Sequence, residues 1–216
     1  MKGAIILSGG MDSTTLAYNL KRQGYELEAI SFDYNQKHKK ELECAKTTCK
    51  KLGIEQKIID LSILNQLAPS SLTRDNWEVP EGHFEADIMK DTIVPNRNMV
   101  MLSLAASYCM GKKISNLFYG AHNGDHAIYP DCRNEFVNSM KESIKLADWN
   151  GVKLEAPYLD LDKGDIAITG KDLKVPYEDT WTCYKGKKYA CGKCGSCQER
   201  LEAFNKAEIK DPIKYD

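Results

Sequence analysis

The sequence carries no excess of charge of either sign. Its 30 lysines and arginines face 31 acidic residues, a net charge of −1. A domain that lives on a nucleic-acid backbone concentrates basic residues, so no direct nucleic-acid partner is expected. Long apolar runs are missing as well. None approaches the roughly 20 residues that a membrane-spanning helix needs, so no membrane partner is expected. No small-residue cleavage site comes after a long apolar segment behind Met1-Lys2, which argues against a signal peptide. Internal repeats and low-complexity tracts are absent. With 42% hydrophobic and 28% charged residues the chain reads as soluble and globular, and 216 residues suit one domain, 1–216.

A disulfide framework is lacking too. Of eight cysteines, Cys44, Cys49, Cys109 and Cys132 are scattered, while Cys183, Cys191, Cys194 and Cys197 are packed together near the end. That clustering points to a metal and to the reducing cytoplasm. The spacing is C-x7-C-x2-C-x2-C, two overlapping knuckles that share Cys194, with Gly192 and Gly195 supplying the turns. Four soft ligands and no vacant position suit structural zinc. Lys187, Lys188 and Lys193 would offset the thiolate charge. An iron–sulfur cluster is the rival, but the next position of the bacterial ferredoxin run is Leu201.

Hydrophobic periodicity predicts strands over residues 3–7, 27–32 and 56–60, alternating with helices over 13–22 and 39–52. This β-α-β-α-β order predicts a doubly wound, mostly parallel α/β sheet. Residues 61–94 predict a short helix and then a long irregular loop, functional or mobile by its length. Beyond it the pattern predicts helices over 98–110, 135–146 and 198–207, and strands over 116–120 and 153–156. A helix over 162–172 is expected to be interrupted by Gly164 and Gly170.

Two nucleotide-binding fingerprints are missing. The chain has no G-x-x-x-x-G-K-[ST] loop, and Gly9-Gly10 does not continue as G-x-G-x-x-G. Instead the first strand ends in Ser8-Gly9-Gly10-Met11-Asp12-Ser13, a glycine loop without a lysine, leading into a helix. Backbone N–H groups at such a helix start make an anion site. Asp12 would repel phosphate unless a cation stands between, which points to magnesium. The plainer alternative is that Asp12 or Ser13 merely caps the helix.

The loop S-G-G-M-D-S resembles the S-G-G-x-D-S loop of the PP-loop ATP pyrophosphatase superfamily. That resemblance implies ATP cleavage between the α and β phosphates, with the loop holding the departing pyrophosphate. Further stretches, FDYNQKHKKELECA, VPNRNMVMLSLAA, GAHNGDHAIYPDCRNEF and TWTCYKGKKYACGKCGSCQERLEAF, resemble the 7-cyano-7-deazaguanine synthase family nearly end to end, most weakly over residues 61–90. The resemblance implies an ATP-dependent C–N ligase. Its substrates would be ATP, ammonia and 7-carboxy-7-deazaguanine, its cofactors zinc and magnesium, its setting the cytoplasm and its assembly a homodimer. A tRNA-thiolating PP-loop enzyme is the alternative, and a zinc-stabilised nucleotide-binding module a further one.

The same resemblance implies the site residues. ATP would lie on Leu7, Ser8, Gly9, Gly10, Met11 and Asp12, and on Ser13, Thr14, Thr15, Leu16 and Ala17 of the helix. Asp12, Lys37 and Arg97 are expected to be catalytic. His38, Asp125, His126, Tyr129, Asp131 and Arg133 are expected to bind substrate, and the end of the second strand, 31–33, to border the adenine. Cys183, Cys191, Cys194 and Cys197 would hold zinc. Each has a plainer reading: Lys37 and His38 as a solvated helix start, Arg97 as a salt bridge, Cys132 as a packed thiol.

Overall fold

A computed structural model describes residues 1–74, 76–124, 128–149, 151–185 and 188–216. Five strands, β1 (Lys2–Ile6), β2 (Glu26–Asp33), β3 (Glu55–Asp60), β4 (Asn116–Phe118) and β5 (Lys153–Glu155), form one sheet in the order β3-β2-β1-β4-β5. All pairings are parallel. The chain winds outward from β1 to β3, then returns to lay β4 on the other side of β1. That reversal between β1 and β4 is where open α/β sheets form their crevice.

β1 is buried on both faces, as its unbroken apolar run requires. Successive side chains point to opposite faces. Ala4 therefore joins Leu102 and Ala105 of α4 (Arg97–Lys112) and Val137 of α5 (Asn134–Leu146) in one core. Ile5 joins Leu16 and Ala17 of α1 (Met11–Arg22) and Ala45 of α2 (Lys40–Leu52) in the other.

Two expectations change. The helix expected over 162–172 runs unbroken as α6 below, from Lys163 to Asp172, started by a capping box between Asp162 and Asp165. Its glycines do not interrupt it; they let neighbours approach. A Cβ on Gly164 would lie 2.3 Å from Lys206 Cδ, and one on Gly170 1.8 Å from the Tyr177 hydroxyl. The 61–94 segment contains α3 (Ile63–Leu67) and a 3-10 helix, Asp87–Thr92. It is tied down on the cysteine segment, since Glu81 bridges Cys194 and Gly82 N–H donates to the Lys193 carbonyl at 3.0 Å. After α6 (Lys163–Asp172), the knuckle runs directly into α7 (Gly195–Lys206), with Cys194 as its N-cap. Among the described residues no helix is long and apolar enough to cross a membrane.

Candidate active site

The glycine loop leaves β1 at the sheet reversal. The Ser8 hydroxyl accepts from Gly10 N–H at 3.2 Å and pairs with the Ser13 hydroxyl at 3.1 Å. Gly10, not Asp12 or Ser13, is the N-cap of α1, and among the described residues no side chain caps that helix. The first turn is thus left to an anion. Gly9 has φ +92°, and a Cβ there would lie 2.0 Å from the Glu41 carbonyl oxygen. Only glycine permits that approach of α2. On the other side, Trp181 N–H donates to the Gly9 carbonyl at 3.0 Å. The loop is wedged between α2 and the cysteine segment before any ligand arrives.

Asp12 therefore faces the cleft instead of capping. Its Oδ1 is buried with no partner among the described residues. Its Oδ2 lies 3.6 Å from Lys163 Nζ and 3.8 Å from His122 Nε2. Lys163, the first residue of α6, is buried and ion-paired with Glu199 of α7. A buried ammonium costs several kcal/mol unless it is paired. The loop has no lysine of its own, but helix α6 delivers one to its mouth.

The adjoining cleft, of about 230 Å³, is walled by Phe32, Tyr34, Tyr119, Tyr129 and Tyr184. Tyr129 shares its hydroxyl with Thr92 at 2.7 Å and Tyr184 at 3.3 Å. Arg97 donates to the Tyr34 hydroxyl at 3.4 Å. Burial raises the Tyr34 pKa, with Arg97 opposing. Burial pulls the other way on the Arg97 guanidinium, but Tyr34, Tyr129 and Asp131 outweigh it and hold its pKa above the usual value. Arg97 is a permanent cation opening onto the cleft.

Cys183, Cys191, Cys194 and Cys197 bring four sulfurs within 4.8 Å of one another, all buried. Cys191 Sγ lies 3.9 Å from Cys197 Sγ and accepts N–H groups from Lys193 at 3.4 Å and Cys194 at 3.3 Å. This donor set can hold a metal ion. One residue beyond Glu199, Arg200 is fully buried, gripping Asp211 through two nitrogens at 2.7 and 3.0 Å and Thr180 at 2.8 Å. The knuckle and this lock together fix α7, and hence Glu199.

A family model described as "Queuosine biosynthesis protein QueC" matches residues 2–208. A 7-cyano-7-deazaguanine synthase from Methanoregula boonei is 62% identical over 216 residues, 100% of both chains. The chain belongs to the QueC family. A second synthase of that name, from Caldicellulosiruptor saccharolyticus, is 59% identical over 100% of this chain and 96% of its own. Among solved structures, the U34-tRNA thiolase NcsA from Methanococcus maripaludis, with its 4Fe-4S cluster, matches with a TM-score of 0.55 at 16% identity. That match spans 95% of this chain and 63% of the thiolase, and shows a shared fold.

Against this QueC-family cleft, the residues expected from sequence divide. Leu7, Ser8, Gly10, Asp12 and Ser13 line it, as do His38, Arg97 and Tyr129. Met11, Leu16 and Ala17 are instead fully buried in the cores flanking the loop. Thr15 is turned away, donating to the Met11 carbonyl at 2.7 Å, while Thr14 is fully buried and Gly9 is pressed against α2. Lys37 does not line this cleft: its ammonium reaches the Trp77 carbonyl and opens on a neighbouring groove with Thr73 and Arg74. Asp131 accepts the Asn98 N–H at 3.2 Å and so fixes the start of α4. Arg133 is the exposed N-cap of α5. Asp125 and His126 lie outside the described residues. Of the β2 end, Phe32 lines the cleft, Ser31 donates to the Leu7 carbonyl at 2.6 Å, and Asp33 pairs with Lys39 at 3.5 Å.

Sequence reasoning missed Lys163 and Glu199. One signal was available. Lys163 comes directly after a capping aspartate, and a cation at a helix N-terminus opposes the helix dipole. Such a placement needs a partner from elsewhere in the chain.

Proposed function

We propose that this protein is an ATP-dependent C–N ligase that converts 7-carboxy-7-deazaguanine and ammonia to 7-cyano-7-deazaguanine, on the route to queuosine or related 7-deazapurines. One observation carries the reading. A lysine-free glycine loop at a helix N-terminus opens into an aromatic-walled cleft, with Lys163 and Arg97 as its cations. The full-length relatives at 62% and 59% identity bear the name of that synthase.

The first-turn N–H groups of α1, with the Ser8 and Ser13 hydroxyls, bind the departing pyrophosphate. Lys163 exchanges Glu199 for phosphate, and Arg97 neutralises the substrate carboxylate or the α phosphate. A carboxylate is a poor electrophile, and AMP transfer to its oxygen supplies a leaving group. Ammonia then gives the amide. A second adenylation, on the amide oxygen, allows elimination to the nitrile. One site runs both halves because each activates an oxygen on the same carbon. Positioning and charge neutralisation do the catalysis, with no covalent protein nucleophile. Tyr34, Tyr119 and Tyr129 offer flat apolar faces to the purine-like base.

Magnesium fits at Asp12, whose buried Oδ1 has no partner among the described residues; it would neutralise phosphate charge there. The four cysteines suit one structural zinc, since the thiolate set is complete and leaves no open position. The whole chain acts as one domain and as a homodimer in the cytoplasm, without touching nucleic acid directly. The test is incubation with ATP, magnesium, ammonium and 7-carboxy-7-deazaguanine, tracking AMP and the nitrile by mass spectrometry. ADP without AMP contradicts the proposed α/β cleavage.

A further inference from the structure

Resting on that reading, we propose that His38 and Glu41 form the ammonium site of the cleft, with His38 as the base that frees ammonia for attack. The His38 ring lines the cleft and is only 2% exposed. Its Nε2 faces Glu41 Oε2 at 3.3 Å. A carboxylate at that distance favours the proton on Nε2 and leaves Nδ1 as an acceptor. Nδ1 is buried and has no partner among the described residues. A buried acceptor without a donor is costly, so the arrangement calls for a ligand that brings an N–H.

The charges choose the ligand. A lone-pair nitrogen backed by a carboxylate repels phosphate, so His38 is ill-placed to neutralise one. It attracts a small cation that carries protons. The surrounding wall agrees: the His38 ring sits 5.6 Å from that of Tyr184, and Phe32 and Tyr34 line the same cleft. Aromatic faces favour an ammonium ion. The location agrees too. Glu41 is the residue whose carbonyl abuts Gly9, so the pair adjoins the loop that holds the phosphates.

Protons and electrons balance through the step. Ammonium gives one proton to Nδ1, and Glu41 stabilises the imidazolium. The freed lone pair forms the C–N bond to the adenylated carboxyl carbon. The C–O bond to AMP breaks, and AMP leaves with that electron pair. The surplus proton on the new nitrogen passes to the departing phosphate, and the imidazolium returns its proton to water after AMP has left.

The second half of the reaction consumes no ammonium, and this supplies the test. His38→Gln and Glu41→Gln are assayed twice with ATP and magnesium, once on the acid plus ammonium and once on the preformed 7-deazaguanine amide. For His38→Gln, kcat/KM for ammonium should fall about 100-fold, while nitrile formation from the amide stays within about threefold. Glu41→Gln should fall about tenfold in the first assay only. Equal losses in both assays, or no loss in the first, overturn the proposal. If wild-type protein releases no AMP in either assay, the ligase reading itself fails.

Discussion

Removing the Lys163 ammonium tests the site most directly, because its surroundings set both a stability cost and a catalytic cost. Lys163→Met keeps most of the side-chain volume. It takes the Lys163 ammonium away from the buried Glu199 carboxylate, and leaves Asp12 Oδ2 without that cation at 3.6 Å. Breaking one half of a buried pair costs about 3–5 kcal/mol. Adding Glu199→Gln removes the carboxylate charge that faced Lys163 and should restore about 2 kcal/mol of that loss. Catalysis should not recover with it. Loss of one preorganised charge stabiliser costs about 3–4 kcal/mol in the transition state, or roughly 100- to 1,000-fold in kcat. Urea unfolding gives the first quantity and AMP release the second. A double variant that regains stability and also turns over within about fivefold of wild type would refute the assignment of Lys163 to the phosphates.

Four other outcomes are expected. Asp12→Asn should lower kcat and shift the magnesium titration of AMP release to higher concentration; an unchanged titration removes Asp12 from the metal. Elemental analysis should find about one zinc per chain, and Cys191→Ser should lose the metal and lower Tm; brown protein with iron would replace zinc by a cluster. Gly9→Ala, forced into φ +92° and against the Glu41 carbonyl, should lose at least about 2–3 kcal/mol of stability in urea unfolding. Burial pushes the Tyr158 phenol from 10.0 up to about 12. The unfolded phenol ionises first, so stability present below pH 10 should fall from there toward pH 12, by at most about 1.4 kcal/mol per pH unit. Tyr158→Phe should flatten that slope in a pH series of urea melts.

Much of the fold could be read along the chain because the signals are local. The apolar run of β1, the periodic helices ending near Gly24 and Gly53, and the β-α-β order each depend on neighbours a few residues apart. The four-cysteine spacing is local in the same way, and so is the glycine loop. That the side chains of Met11, Leu16 and Ala17 turn away from the cleft was not legible, because proximity in sequence to a loop says nothing about which way a helical side chain turns. Those three point into the cores that seat α1. The placement of Lys37 was not legible either: a cation beside His38 in sequence reaches a different groove.

By itself, then, the sequence determined the sheet, the glycine loop, the four-cysteine knuckle and the family resemblance. Only the tertiary structure decided what completes the loop. Helix α6 brings Lys163 to Asp12 from far along the chain, and α7, held by the knuckle and by the buried Arg200–Asp211 pair, brings Glu199 to Lys163. Those contacts depend on the chain's return across the sheet between β1 and β4. No short stretch of sequence encodes that return, because it is set by which apolar faces pack together.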